Sequence, residues 1–408
     1  MNAVKLGDIC NFYNGGAWSQ NEFTEAGYPV LKVSNCKSNG FEISDVSYIP
    51  YDIAQKSKIN KLQIDDVIIA TVGSHPNLVE SAAGRSCVVT TAVVGFYLNQ
   101  NAVCLRSKDP NVFSQKYLGY LAASAPFKHY IQSRGKGAAN QMRIAISAIK
   151  DFSLVLPDIE VQKAVGTILS AYDDLIENNQ KQIKLLEEAA QRLYKEWFVD
   201  LRFPGHENTK ITDGVPEGWR KYKFSDITSI MSGGTPKTDV KEFYNGNIPF
   251  YTPKDSGDSF FAFDTITHIS QSGLDNCNSQ LYPVNTIIIT ARGTVGKTTI
   301  LAVPTAMNQS CYALKCDELN SPYYLFFSLK NEVAALKTMS NGGVFNTIIV
   351  KTFDSICLIA PTQDVLNMFE ASVSPIMEQI KTKARQNIML AEARDRLLPK
   401  LMSGEIEV

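Results

Sequence analysis

The sequence lacks the residue patterns on which most enzyme active sites are built. Only four histidines occur among 408 residues, and none lies in a nucleophile motif. The sequence holds no GxSxG segment, and no glycine-rich cofactor loop follows a strand-like run. These absences argue against hydrolases and dinucleotide-dependent enzymes, and we predict a chain that is not itself an enzyme.

Metal-binding and membrane patterns are missing as well. The eight cysteines include no CxxC pair, and no histidine lies near enough to complete a zinc site. No apolar run is long enough to span a bilayer, and we recognise no signal peptide. We therefore expect reduced thiols, no metal site and a soluble, cytoplasmic protein.

Net charge is close to zero, with 40 Lys+Arg against 41 Asp+Glu. By segment the balance differs: residues 1–156 carry 15 basic and 11 acidic side chains, residues 223–360 carry 10 and 11, and residues 157–200 carry 5 and 9. Only the first segment has the sign expected for a surface that binds phosphates. The acidic segment is better suited to face protein or solvent than DNA.

Two heptad patterns dominate what the sequence does contain. From Leu169 to Trp197 mostly apolar residues recur every seven positions, with a second series three residues further on. The same register returns 204 residues later, from Val373 to Leu401, and a proline precedes each pattern at that same offset. We predict two long helices, over 157–203 and within 361–408, that pack on each other.

The segments before these helices also repeat. Lys5-Leu6-Gly7-Asp8-Ile9 is echoed by Lys223-Phe224-Ser225-Asp226-Ile227, and the glycine turn at Gly15-Gly16 by Gly233-Gly234. Each segment combines short β-rich runs with one helical pattern, which the first segment carries over 114–131. The sequence therefore predicts an α+β chain with two β-rich mixed domains, 1–156 and 223–360, and a linker at 204–222.

The offset between matching segments drifts from 218 to 204 residues, because insertions and deletions fall inside the β-rich domains. The helices keep their register while the domains diverge. This pattern favours a constant scaffold that carries two different recognition surfaces.

Residues 291–298 come close to a phosphate-binding loop. Alanine replaces the first glycine at position 291, and the segment after Thr298 looks like a strand where such a loop would enter a helix. We interpret this stretch as a basic hairpin tip that exposes Arg292 and Lys297.

Ser321-Pro322-Tyr323-Tyr324 is similar to the tetrapeptide with which amino-methyltransferases hold a flipped base. It lacks the second proline, and it aligns with an ordinary helix start in the first half of the chain. We interpret Pro322 as a proline in the first turn of a helix.

Four polar residues occupy heptad positions: Asn179, Lys383, Asn387 and Arg394. One interpretation is an imperfect seam whose long side chains reach out to solvent. The other is that buried polar groups fix the register of the two helices at some cost in stability. The sequence leaves both open.

The helix ends carry a family resemblance. Residues 190–200, residues 396–406, Gly214-Val215-Pro216-Glu217-Gly218-Trp219 and Ser232-Gly233-Gly234-Thr235-Pro236-Lys237 resemble segments of specificity subunits of type I restriction–modification enzymes. The resemblance spans the whole chain. The first domain departs from it at Gly15-Gly16-Ala17-Trp18, where threonine and proline would be usual.

The resemblance implies two target-recognition domains separated by two long helices that form an antiparallel coiled coil. Each domain would read one half of a bipartite, asymmetric double-stranded DNA site. The helices would set the spacing and dock two methyltransferase subunits, which bind S-adenosylmethionine. A motor-nuclease subunit that uses ATP and Mg would join for cleavage, so this chain would hold no cofactor itself.

Base reading requires Arg, Lys, Asn and Gln on loops, because these side chains match purine edges in the major groove. Our candidates for DNA contact are Asn77, Arg85, Arg134, Lys136, Asn140, Gln141, Lys237, Lys254, Arg292, Lys297, Asn341 and Asn346. Our candidates for partner contact lie at the helix ends and are Tyr194, Trp197, Phe198, Leu397 and Leu401. The alternative is an interaction scaffold whose two β-rich domains bind protein or sugar, with the helices as a coiled-coil arm.

Overall fold

The computed structural model describes residues 3–37, 40–74, 83–138, 141–315, 319, 321–339 and 347–408. The chain folds into two compact units, one of Met1–Leu175 with Met389–Val408 and the other of Ile176–Ile388. The division falls inside both long helices. Within the described ranges, no helix is both long and apolar enough to cross a membrane.

A four-stranded antiparallel sheet forms the centre of the first unit. Its strands, in spatial order, are Cys10–Asn14, Ala102–Ser107, Val67–Ala70 and Ser86–Val88. The Val67–Ala70 strand is buried along its whole length, as a continuous apolar run predicts. The other strands form smaller sheets: Tyr97–Leu98, Tyr28–Leu31 and Ser47–Ile49; Ala3–Lys5 and Ser153–Val155; Cys36–Lys37 and Gly40–Phe41; Lys136–Ala138, Gln141–Arg143 and Val72–Gly73.

The first unit also contains short helices, of which Gln115–Ala123 packs on the central sheet. The α-helices are Leu6–Ile9, Tyr51–Lys56, Gln115–Ala123, Ala125–Ser133 and Ile146–Lys150, and the 3-10 turns are Gln20–Glu22, Val33–Asn35 and Lys58–Asn60. The single helix predicted over 114–131 is wrong, because the chain breaks at Ser124. This residue is extended, and its hydroxyl accepts from the N–H of Phe127 to cap the next helix.

The second unit repeats this plan. Its central five-stranded sheet has the order Ser229–Ser232, Cys311–Lys315, Ile287–Thr290, Thr298–Leu301 and Phe261–Ala262. Its smaller sheets are His268–Ile269, Ile248–Tyr251 and Ala306–Met307; Arg220–Lys223 and Cys357–Ala360; Ile211–Thr212 and Val215–Pro216.

The helices of the second unit include one long enough to form a layer of the domain, Pro322–Met339. It begins at Pro322, which confirms the interpretation of a proline in the first helical turn. The shorter α-helices are Phe224–Ile227, Gln271–Asp275 and Val350–Asp354, and the 3-10 turns are His206–Asn208, Lys241–Tyr244 and Pro253–Asp255.

Matching hydrogen bonds confirm the duplication. The N–H of Leu6 donates to the carbonyl of Phe152 over 2.8 Å, and the N–H of Phe224 donates to the carbonyl of Ile356 over 2.9 Å. In both units the strand before this short helix pairs with the strand that leads towards a long helix. The predicted α+β class with two related domains is therefore confirmed.

The first long helix is Ile159–Tyr194, which continues as a π-helical turn over Lys195–Val199. The second long helix is Gln363–Ser403. In the second unit the two helical segments run antiparallel, since Asn179 bonds Asn387 at one end and the Trp197 ring lies 5.8 Å from that of Phe369 at the other.

The segments of these helices in the first unit are also antiparallel. The guanidinium of Arg394 donates to the carboxylate of Asp173, and Leu169 and Leu401 belong to one apolar core. Asp173 also accepts from the hydroxyl of Tyr120, on a short helix of the domain. Three of the four polar heptad residues, Asn179, Asn387 and Arg394, thus have polar partners across the helix pair.

Candidate nucleic-acid interface

In the second unit, four loops meet at one edge of the β-rich domain. We call residues 233–237, 252–256, 291–297 and 308–310 the second loop cluster. Hydrogen bonds connect all four, directly or through the residue next to a loop. The bonded pairs are Gly234 N–Met307 O at 3.1 Å, Asn308 N–Tyr251 O at 3.0 Å, Ala291 N–Ser310 O at 2.7 Å and Thr294 Oγ1–Pro253 O at 3.2 Å. The loops therefore form one continuous surface.

The first unit builds an equivalent edge. We call residues 15–18, 31–35, 71–74, 99–101 and 141–144 the first loop cluster. Its bonded pairs are Gly16 N–Leu98 O at 2.8 Å, Asn99 N–Leu31 O at 2.9 Å, Thr71 N–Asn101 O at 2.7 Å and Ile144 N–Thr71 O at 2.8 Å.

The two clusters use the same backbone hydrogen bonds. The bond from Thr71 to Asn101 corresponds to the bond from Ala291 to Ser310. The bond from Ile144 to Thr71 corresponds to a bond in the second domain, in which the N–H of Ile348 donates to the carbonyl of Ala291 over 2.9 Å. The main chain is thus held alike in both domains, while the side chains on it differ.

The repeated glycine turn has a steric cause. A Cβ atom at Gly15 would lie 1.8 Å from the carbonyl oxygen of Asn99, and one at Gly233 would lie 2.3 Å from that of Asn308. Only glycine allows the two backbones to approach so closely. The turn therefore fixes the first loop of each cluster against the asparagine turn.

The second loop cluster brings together most of the cations predicted there. Lys237, Lys254 and Arg292 are exposed within it. The hairpin between strands Ile287–Thr290 and Thr298–Leu301 is confirmed, and it exposes both Arg292 and Lys297. Two further candidates, Asn341 and Asn346, lie outside the described residues.

Carboxylates shape this cluster in two ways. Asp258 accepts from the ammonium group of Lys297 over 2.6 Å, which lowers the pKa of Asp258. Asp255 accepts from the N–H and the hydroxyl of Thr252 and from the N–H of Ile266, each over 2.7 Å. Asp255 therefore fixes the loop that carries Lys254, while Asp258 neutralises Lys297.

The first domain places its candidates less uniformly. Arg85 is half-buried and donates to the carbonyl of Cys36 over 2.6 Å, so it supports the small hairpin that begins there. Arg134 is exposed and lies over the ring of Tyr130, 4.9 Å from its centroid. Lys136 is exposed on a strand. Gln141 is described only by its backbone, and two candidates lie outside the described residues: Asn77 and Asn140.

Sequence reasoning missed Arg143. This residue is exposed and stands opposite Lys136 in the strand register. Met142 and Ile144, on either side of it, are buried. The alternation of polar and apolar residues over 141–144 was the available signal, because it indicates a strand with one outward face.

The predicted partner-contact residues lie mainly in apolar cores of the chain. Tyr194 and Trp197 are each 9% exposed and Leu401 is 5% exposed, while Phe198 and Leu397 are half-buried. Burial raises the pKa of Tyr194 to about 12, and its hydroxyl donates to Ser328 over 3.1 Å. These residues fasten the long helices to their own domains and retain little surface, and contact with a partner stays a prediction.

Larger apolar surface is exposed elsewhere on the long helices. Leu185 is 65% exposed, Met389 62% and Leu175 52%. Heptad counting did not single them out, because they lie off the seam that joins the two helices.

Comparison with known proteins identifies a family whose model matches two segments of the chain. The model of a family described as type I restriction modification DNA specificity domain matches residues 1–188 and 216–365. The chain is 25% identical over 359 residues to the type I restriction enzyme HindI specificity subunit of Haemophilus influenzae, covering 72% of this chain and 78% of that protein. It is 29% identical over 306 residues to the MjaIX specificity subunit of Methanocaldococcus jannaschii, covering 72% and 69%.

A solved structure shares the fold. The S subunit of a type I restriction–modification system from M. genitalium superposes with a TM-score of 0.59 over 98% of this chain and 95% of that one. The two sequences are 15% identical, so this likeness concerns the fold alone.

Proposed function

Because the chain belongs to the type I restriction–modification DNA specificity family, we propose that each β-rich domain reads one half of a bipartite, asymmetric DNA sequence. The reading surfaces are the two loop clusters. The chain itself is a reader without catalytic activity.

One observation supports this proposal above the others. The clusters share their backbone hydrogen bonds, yet cations such as Lys254 and Arg292 stand on one and Arg143 on the other. Exposed Lys, Arg and Asn side chains on rigid loops are suited to base edges and phosphates. A shared main chain with different side chains is what two readers of different half-sites require.

The long helices would set the distance between the half-sites and dock the partners. In this proposal two methyltransferase subunits bind the helices, bring S-adenosylmethionine and methylate the site, and a motor-nuclease subunit supplies ATP-driven cleavage. Leu175 in the first unit and Leu185 in the second each expose apolar surface suited to packing against a partner subunit.

Mapping methylated adenines genome-wide tests the reading role. The chain would be expressed with its methyltransferase partner in cells that lack other adenine methylation, and we expect one two-part motif. Arg292→Ala should relax one position of the half read by the second domain, since a bidentate base contact contributes about 1–3 kcal/mol of discrimination. The other half-site serves as the internal control, and a motif unchanged in both halves would remove Arg292 from the reading surface.

A matched deletion tests the spacing role. Residues 176–182 and 384–390 lie opposite one another around Asn179 and Asn387, so removing both heptads keeps the helix pair in register. Seven residues rise about 10.5 Å, so we expect the spacer to change by up to about three base pairs. An unchanged spacer in a functional variant would contradict the proposal.

A further inference from the structure

A basic recess borders the first loop cluster and shares Arg143 and Ile144 with it. It has a volume of about 880 Å³ and opens to solvent. Its lining includes three cations, two aromatic rings and one carboxylate: Arg134, Lys136, Arg143, Tyr130, Phe152 and Asp151.

The cations of this recess have no acidic partner in the part of the chain that the structure describes. The carboxylate in the lining, Asp151, is paired with the ammonium group of Lys5 at 2.9 Å, and the charges of that pair cancel. Three positive charges therefore share one concave surface, which concentrates the field on a bound anion.

The cations are held by the fold. The guanidinium of Arg134 stacks on Tyr130, whose hydroxyl donates to the carbonyl of Ala148 over 3.1 Å. Arg143 and Lys136 face each other across two paired strands, and the N–H of Ile144 is bonded to Thr71 of the first loop cluster. The recess thus has a fixed position next to the reading surface.

Its concave shape decides what it can bind. A side chain that reads bases must project from a convex tip into a groove of the duplex. A cation in a concave wall instead receives a group that projects from the DNA, and the phosphates are the projecting anions of a duplex.

We propose that Arg134, Lys136 and Arg143 form a clamp for the sugar–phosphate backbone of DNA beside the bases that the first loop cluster reads. This inference rests on the proposed function and changes the role first predicted for Arg134 and Lys136 from base reading to positioning. Arg143 becomes the third member of the clamp.

Salt-dependent binding of the full chain with its methyltransferase partner tests the clamp. Affinity would be measured against salt concentration for a duplex with the methylated motif and for a scrambled duplex. Arg143→Ala, Lys136→Ala and Arg134→Ala should each reduce the slope of log K against log salt by about 0.9. Each should lower the affinity for both duplexes by the same factor and leave the methylated motif unchanged.

Matched variants separate this effect from a general loss of charge or fold. Lys128→Ala removes an exposed cation that does not line the recess, and it should leave the slope unchanged. Arg143→Lys keeps the charge and should retain the slope. Denaturant unfolding of Arg143→Ala checks that its loss of slope is not a folding defect.

Two results would overturn the clamp. One is an unchanged slope in all three alanine variants, and the other is a relaxed motif with an unchanged slope, which would identify base readers. If the proposed function itself is wrong, the result is different. The unmodified complex would then bind the duplex with the motif and the scrambled duplex with equal affinity.

Discussion

Asn179 on the first long helix donates a hydrogen bond from its side-chain amide to the side-chain oxygen of Asn387 on the second, over 3.0 Å. Asn179 is only 8% exposed. Their pairing favours the interpretation in which heptad polar residues fix the register, because an amide buried between apolar neighbours is satisfied in only one alignment of the helices.

Asn179→Leu should therefore destabilise the chain by about 1–3 kcal/mol, since it leaves the amide of Asn387 without its partner. Combining it with Asn387→Leu should restore most of that loss, because both polar groups are then removed. Denaturant unfolding measures both effects. A double variant as unstable as the single one would show that the pair has no special role in the seam.

Asp258→Asn should strengthen DNA binding by the second domain. The substitution frees Lys297 from its ion pair with Asp258. The side chain of Asp258 is 93% exposed. Exposed pairs of this kind contribute up to about 1 kcal/mol, so stability should hardly change and affinity should rise by up to about fivefold at low salt.

Asp275→Asn is the matched control for that measurement. It removes the same charge from an exposed residue whose side chain, among the residues that the structure describes, bonds only its own helix neighbour, Gln271. Equal gains in gel shifts of the two variants would mean that net charge alone, and not the release of Lys297, raises the affinity.

Gly233→Ala should disrupt the second loop cluster. The added Cβ would lie 2.3 Å from the carbonyl oxygens of both Met307 and Asn308, and backbone atoms cannot move aside cheaply. We expect a loss of about 1–3 kcal/mol. Methylome sequencing should show a weakened half-site for the second domain.

Gly257→Ala provides the contrast, since its Cβ would meet nothing closer than the backbone nitrogen of Ser259 at 3.9 Å. It should leave stability and methylation unaltered. If the two alanine variants behaved alike, close backbone approach would not be the reason for glycine at position 233.

The carboxyl group of Glu370 should make the stability of the chain depend on pH. Its carboxylate, on the second long helix, accepts from the hydroxyl of Ser321 and from the N–H groups of Tyr323 and Tyr324 at the start of helix Pro322–Met339. Burial nevertheless raises the pKa of Glu370, so the folded chain holds this proton to higher pH than the unfolded chain. Its contribution to the free energy of unfolding therefore falls as pH rises above the usual value of about 4.5.

Glu370→Gln should remove this dependence. The free energy of unfolding of the variant should therefore rise relative to that of the unmodified chain as pH increases from 4 to 8. Glu370→Ala should lose about 1–2 kcal/mol, because the helix start is left without its acceptor. Denaturant unfolding across this range measures the difference, with Glu378→Gln, an exposed change on the same helix, as the control. A flat difference between Glu370→Gln and the unmodified chain would refute the assignment.

The sequence predicted those parts of the fold that depend on residues close to one another in the chain. The heptads, the duplicated turns and the hairpin that carries Arg292 all follow from periodicity or turn chemistry. The break at Ser124 was missed, because a serine cap interrupts the helical spacing without changing the apolar pattern around it.

The roles of individual side chains depended on distant partners. Arg85 is held by a carbonyl 49 residues away, and Lys297 by a carboxylate 39 residues away. A heptad shows that one face of a helix is apolar, but not which surface covers it. The heptad therefore led to a predicted partner contact at Trp197, most of which its own domain buries, and contact with a partner stays a prediction.

The backbone bonds around Thr71 and Ala291 have an evolutionary consequence. Main-chain N–H and C=O groups hold both loop clusters together, and almost every amino acid supplies those groups. Outside the glycine turns and the side-chain bonds of Asp255 and Thr294, residues on the clusters can be replaced without removing these main-chain contacts. Such a chain can acquire a new DNA target by substitution at these surface positions, with little change in its stability.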